Sequence, residues 1–272
     1  MLRPAKWLGG FQWGKAEPRN GAHANLSFCS IWSERLQSAA FLFAVFEFVL
    51  LIFSLSFHEC AHAWTASLLG DQTARLEGRV TLNPMYHVDP IGSLLFPAIA
   101  IFGPFLGFNL FSGMLIGWAK PTPVITRNFR KIRRDDNLVT LAGPASNLLL
   151  ALVALIILLV IAHAVPGGRA VVLYTFQGQL LPGVNSSVQA LVLLGRAAIE
   201  INLSLFVFNL FPVPPLDGSH LLRNVLPYNA MQTYDRIPYW LSWMLMIFVG
   251  GTIMRMFLDP ALRLVFSALI HL

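Results

Sequence analysis

Five apolar stretches, at roughly 39–69, 91–118, 138–165, 188–211 and 239–270, constrain this chain more than any other feature. Each supplies the ~20 apolar residues that a helix needs to cross a bilayer. In hydrocarbon every backbone N–H and C=O must be satisfied within the protein, so runs of this length fold as helices. Composition agrees: hydrophobic residues are 56% and charged residues 12% of 272, too few charges to cover a soluble domain. The expected fold is an all-α polytopic membrane protein of about five to six transmembrane helices.

Two of the stretches carry interruptions. The second contains Pro97 and Gly103-Pro104, which predicts a kink or a break. The last contains Arg255, Asp259 and Arg263 and is expected to leave the bilayer early. Between the first two, ARLEGRVTL (74–82) alternates polar and apolar residues, the pattern of a short β-strand or hairpin. An open sheet edge cannot face lipid, so such a strand belongs at the surface or in a protein-lined cavity. There it would be placed to pair with another extended chain as an added strand.

The formal charge of +6 does not indicate nucleic acid. Six of the 19 Lys and Arg fall between Lys120 and Arg134, the signature of a cytoplasmic membrane loop. Counting crossings from that loop places the 71–90 connection on the opposite side, unless 91–118 is not a single simple crossing. Residues 1–38 mix Trp7, Trp13 and Trp32 with glycines and basic residues and are expected to form an interfacial or disordered arm. Residues 39–272 then form one transmembrane domain. Cys29 and Cys60 provide no disulfide framework.

Chemistry enters at His58-Glu59-Cys60-Ala61-His62, an H-E-x-x-H sequence inside the first apolar stretch. Positions i and i+4 share one helix face with Cβ atoms ~5–6 Å apart, so two imidazoles can converge on one ion. Glu59 is offset by about 100°, near enough to reach a water beside the ion without binding it. Ionisable groups at membrane depth are functional by default. The arrangement is that of a zinc hydrolase.

A catalytic zinc takes a third protein ligand. The candidate is Asp217 in NLFPVPPLDGSH, where three prolines stiffen the approach and Gly218 permits a tight turn. His220 competes for the role, with His87 and Asp89 behind it. A further element, LAGPASNLLLAL, places Gly143-Pro144 and Asn147 at the opening of a long apolar helix, where Asn147 offers an amide to the site. Glu47 lies eleven residues before His58 on the same face, and Arg196 and Glu200 form an i,i+4 pair.

HECAH, GPASN and NLFPVPPLDG, in that order, resemble the site-2 protease family of intramembrane zinc metalloproteases. GRVTLNPMYHVDPIGSLLFP and GWAKPTPV are similar to its compact branch, which lacks appended PDZ or CBS domains. The resemblance implies one zinc ion per chain held by His58, His62 and Asp217, with Glu59 as general base. It places Asn147 and Asn209 beside the site, holding substrate backbone or an oxyanion. The implied partners are a membrane-anchored protein substrate and the lipid bilayer, in the inner membrane of the cell. A protease that trims prenylated C-termini would use Glu as third ligand, and no Glu follows Glu200. A metal-ion transporter would spread its ligands along a path, and a non-catalytic zinc scaffold would not need Glu59.

Overall fold

The computed structural model describes the backbone of residues 25–107, 117–179, 181, 186–246, 248 and 251–271. The described part of the chain is helical, and no strand occurs within it. Its helices are α1 (Asn25–Leu69), α2 (Thr73–Leu76), α3 (Phe96–Phe102), α4 (Ile132–Ala164), α5 (Gly168–Phe176), α6 (Ser186–Asn209), α7 (Asp217–Val225), α8 (Tyr228–Tyr234), α9 (Tyr239–Leu245) and α10 (Gly251–His271). Helix α1 begins inside the segment expected to be an arm; residues 1–24 lie outside the described residues.

Three helices among the described residues are long and apolar enough to cross a membrane: Ala40–Leu69, Ile132–Ala164 and Ser187–Asn209. Helix α4 shows how they divide their surface. Gly143, Pro144, Asn147, Ala151, Ala154, Leu158 and Ile161 recur every three or four residues and are buried. Leu149, Leu152, Val153, Ile156, Ile157 and Val160 lie between them and are exposed, as suits a lipid-facing stripe. The buried stripe is rich in small residues, so α1 and α6 pack closely on it. A methyl on Gly195 of α6, for example, would come within 2.7 Å of Leu158. At the end of α4 away from the H-E-x-x-H residues, Leu158 and Ile161 join Val171 and Phe176 of α5, Ile199 of α6 and Leu269 of α10 in an apolar core.

The second apolar stretch is broken, as its prolines and glycines predict. It runs as a π-helical turn at Pro90–Leu95, α3, and a 3-10 turn at Gly103–Leu106. Its two ends meet: the Trp118 N–H donates to the Gly92 carbonyl at 3.3 Å, and Ser93 Oγ donates to the Trp118 carbonyl at 2.7 Å. The stretch therefore enters and leaves at one end of the bundle and is not a simple crossing. Asp71, just past α1, accepts from the Ile125 N–H at 2.7 Å and from Asn128 Nδ2 at 2.8 Å. The C-terminus of α1 and the basic 119–137 loop thus share one side, which resolves the conflict in counting crossings.

The strand or hairpin expected at 74–82 does not form. Residues 73–76 make the single helical turn α2, and the Arg79 N–H closes back on the Ala74 carbonyl at 2.8 Å. Gly78, at φ +73, reverses the chain in a conformation that glycine adopts without strain. A strand needs a partner to satisfy its ladder; here local i→i+4 and i→i+5 bonds do that work instead. The buried Arg79 guanidinium donates to the Tyr86 carbonyl and Ala74 is buried beside it, while Leu76 and Leu82, apolar members of the alternation, are exposed.

Candidate metal centre

One turn of α1 carries both imidazoles, as the i,i+4 spacing requires, and both are buried. His58 Nε2 and His62 Nε2 lie 3.1 Å apart with their rings at 84°. Asp217 Oδ2, in the first turn of α7, is 3.1 Å from His58 Nε2 and 3.4 Å from His62 Nε2. Among the described residues these three are the one group of His, Cys, Asp or Glu whose donor atoms gather tightly enough for a metal, all within 4.8 Å of one another. The third-ligand candidates separate accordingly. His220 lines the neighbouring cavity but does not join the group. His87 Nε2 donates to the Thr81 carbonyl at 2.8 Å, and Asp89 Oδ1 caps Ile91 and Gly92.

The far side of each ring fixes what the near side offers. His58 Nδ1 is 3.0 Å from Asn147 Oδ1, and His62 Nδ1 is 2.7 Å from the Val139 carbonyl. Both partners can only accept, so each Nδ1 carries the proton and, in the neutral ring, each Nε2 presents a lone pair. Two lone pairs and a carboxylate oxygen then face one another at 3.1–3.4 Å with no hydrogen to share. Such a cluster repels itself unless a cation sits among the donors. Two imidazoles and one carboxylate suit zinc, which takes three protein ligands in catalytic sites.

Helix α4 supports this geometry in a way the sequence showed only in part. The helix was expected to open at Gly143-Pro144; it starts at Ile132, so both residues lie inside it. Pro144 lacks the N–H that would otherwise bond the carbonyl four residues back. Gly143 faces the two rings: a methyl there would lie 2.3 Å from His62 Nε2 and 2.6 Å from His58 Nε2. Only glycine lets α4 approach so closely. Gly218 acts similarly, since a methyl at that position would come 2.2 Å from the Leu210 carbonyl and push Asp217 away.

Asn147 is fully buried and spends its carbonyl oxygen on His58; it is not among the residues lining the cavity. It lies behind the rings as seen from the cavity. Asn209 does line the cavity, with Nδ2 donating to the Leu205 carbonyl at 2.9 Å.

A cavity of about 510 Å³ opens on this group, within the usual range for ligand sites. Glu59 lines it together with His58, His62 and Asp217. Glu59 Oε2 accepts from Thr122 Oγ1 at 2.8 Å and from the Thr122 N–H at 3.2 Å. Thr122 is a site residue that the sequence reading missed; its position between Pro121 and Pro123 was the available signal. The role of the Val139 carbonyl had no signal, because a main-chain group leaves no trace in residue identity. Further along the bundle, Arg196 Nε donates to Glu200 Oε1 at 2.7 Å, as their spacing predicts, and Nη1 donates to the Thr175 carbonyl.

The family model described as Peptidase family M50 matches residues 46–249. A Bacillus subtilis protein named "Putative zinc metalloprotease YwhC" is 37% identical over 179 residues, covering 66% of this chain and 68% of that protein. A Mycolicibacterium smegmatis protein named "Putative zinc metalloprotease Rip2" is 28% identical over 220 residues, covering 81% and 69%. Its namesake in Mycobacterium tuberculosis is 27% identical over 202 residues, covering 74% and 65%. No solved structure matches the chain.

Proposed function

The chain belongs to peptidase family M50, the site-2 proteases, and on that premise we propose that it cleaves membrane-anchored proteins in or beside their transmembrane segments, with Glu59 as general base. It is a zinc metalloendopeptidase embedded in the membrane through its apolar helices. The observation that carries the finer reading is that His58, His62, Asp217 and Glu59 all line one cavity.

In this reading His58, His62 and Asp217 hold one zinc ion per chain. Bound zinc supplies Lewis acidity, acidifying a water and polarising a peptide carbonyl. Glu59, on the cavity wall, would take a proton from the attacking water and deliver it to the leaving amine. Its Oε2 is engaged by Thr122, while Oε1 makes no hydrogen bond to the described residues. Asn147 and the Val139 carbonyl hold the two rings with Nε2 toward the ion. That Asn209 lies on the cavity wall supports a role for it in meeting substrate.

The cavity also suits the substrate class. Leu51 and Leu55 of α1, Ile101 of α3, and Leu205 and Phe208 of α6 form apolar walls for the side chains of a transmembrane segment. A scissile peptide in such a segment must leave its helical hydrogen bonds before attack. The basic 119–137 loop supports an orientation with the metal-site end of the bundle toward the cytoplasm, in the inner membrane of the cell.

The test is Glu59→Gln in purified protein with a transmembrane reporter substrate. Zinc retained with cleavage lost is the expected result, and cleavage at the wild-type rate would overturn the assignment of the base.

A further inference from the structure

Residues 117–125 have no regular secondary structure, and Trp118, Ala119, Pro121, Thr122 and Val124 form part of the cavity wall. The segment is anchored on both sides of Thr122. The Lys120 N–H donates to the His87 carbonyl at 2.8 Å, and the Ile125 N–H donates to Asp71 Oδ2 at 2.7 Å. Between the anchors runs Pro121-Thr122-Pro123. Proline has no N–H, so the Thr122 amide is the sole backbone donor of the three. A residue preceding proline is confined to extended conformations, and a β-branched side chain is stiff at χ1. Sequence and anchoring together fix where two donors point before any substrate arrives.

Both donors point at one oxygen. The Thr122 hydroxyl lies 2.8 Å from Glu59 Oε2 and the N–H lies 3.2 Å from it; the hydroxyl also approaches the Glu59 main-chain carbonyl at 3.2 Å. Hydrogen bonds to a carboxylate are stronger than neutral ones. A carboxylate gripped at one oxygen by a rigid donor pair keeps a single orientation and leaves its other oxygen for a reactant. Among the described residues no other group donates to Glu59, so the proline-flanked threonine is the group seen to orient this side chain.

We propose that Thr122 is the positioning residue for Glu59: it clamps Oε2 and thereby aims Oε1 at the reacting water. The proposal rests on Glu59 being the general base. Thr122 lines the cavity but acts on the chemistry through that carboxylate, and it is not one of the grouped donors His58, His62 and Asp217, so its loss slows turnover without weakening zinc binding. Groups supporting a reacting side chain are typically worth about 10–100-fold in activity.

The test compares Thr122→Val, Thr122→Ala, Thr122→Ser and Glu59→Gln in full-length protein reconstituted in liposomes with a transmembrane reporter. The readouts are kcat, KM and zinc content. Valine and alanine, which delete the hydroxyl with and without a replacing methyl, are each expected to lower kcat about 10–100-fold with KM and zinc unchanged. Serine, which keeps the donor, is expected to restore most of the rate. Unchanged kcat in both deletion variants, beside an inactive Glu59→Gln, would overturn the role of Thr122 and leave the base assignment standing. A rate loss that serine fails to rescue, or that comes with zinc loss, would overturn it in favour of a merely structural loop. Full activity in Glu59→Gln would instead remove the base assignment and the proposal together.

Discussion

His58 on α1 and Asn147 on α4 are joined by a 3.0 Å hydrogen bond across 89 residues of sequence. This bond sets which nitrogen of His58 faces Asp217. Asn147→Leu is therefore expected to lower zinc affinity about 10–100-fold, the usual cost of losing a partner behind a metal ligand. Asn147→Asp keeps an acceptor oxygen and should recover much of the affinity. Zinc per protein after dialysis against graded chelator measures both.

Gly143→Ala should be among the most damaging single-methyl changes in the chain. Its Cβ would lie 2.3 Å from His62 Nε2, with backbone behind it, so the rings must move. Loss of zinc binding is expected. Gly251→Ala is the matched control, since a methyl there meets nothing within 4 Å and zinc content should be unchanged.

Asp71 predicts an acid limb in stability. Burial by itself raises the Asp71 carboxyl, but bonds from the Ile125 N–H, the Thr73 hydroxyl and N–H, and Asn128 outweigh it and hold the group below its ordinary value. A depressed carboxylate contributes stability that is fully present above its unfolded value of ~3.9 and is lost as pH falls through the lower folded value. Asp71→Ala orphans several donors and should cost about 1–3 kcal/mol near neutrality. The loss should shrink at the acid end of the range. Thermal unfolding of detergent-solubilised protein across pH checks the sign.

Arg196 sits in the apolar layer with Glu200 bonded to it and Glu47 of α1 within electrostatic reach of both. Arg196→Met leaves the Glu200 carboxylate without its bonded cation. It should lower the thermal midpoint more than the double variant Arg196→Met/Glu200→Leu, because one uncompensated charge costs more than a removed pair. A double variant less stable than the single one would show that Glu200 contributes independently of Arg196.

The parts of this protein that read correctly from sequence are those fixed over short range. An apolar run decides its own solvent and helicity, and H-E-x-x-H decides its own face, so α1 and its two imidazoles were legible. Gly103-Pro104 likewise announced the break in the second stretch. The alternation at 74–82 misled because a period-two pattern needs a pairing partner to become a strand, and the buried residues here are Ala74 and Arg79, five apart. A helical turn with Gly78 at its end satisfied the backbone at lower cost. Gly143-Pro144 misled in the opposite sense: breakers that should open a helix are tolerated inside α4, where the neighbouring helices pack against them.

Sequence alone determined that this chain lives in lipid and carries a pair of metal-seeking histidines beside an acid. Tertiary structure decided which distant group gathers with them, Asp217 and not His220, and bonded the Asn147 oxygen to a ring. It also placed both ends of the 91–118 stretch on one side of the bundle. The physical reason is reach. Side-chain spacing along one helix follows from its pitch, whereas contacts between segments 77 and 89 residues apart depend on how closely whole helices pack. That closeness turned here on single methyl groups missing at Gly143 and Gly218.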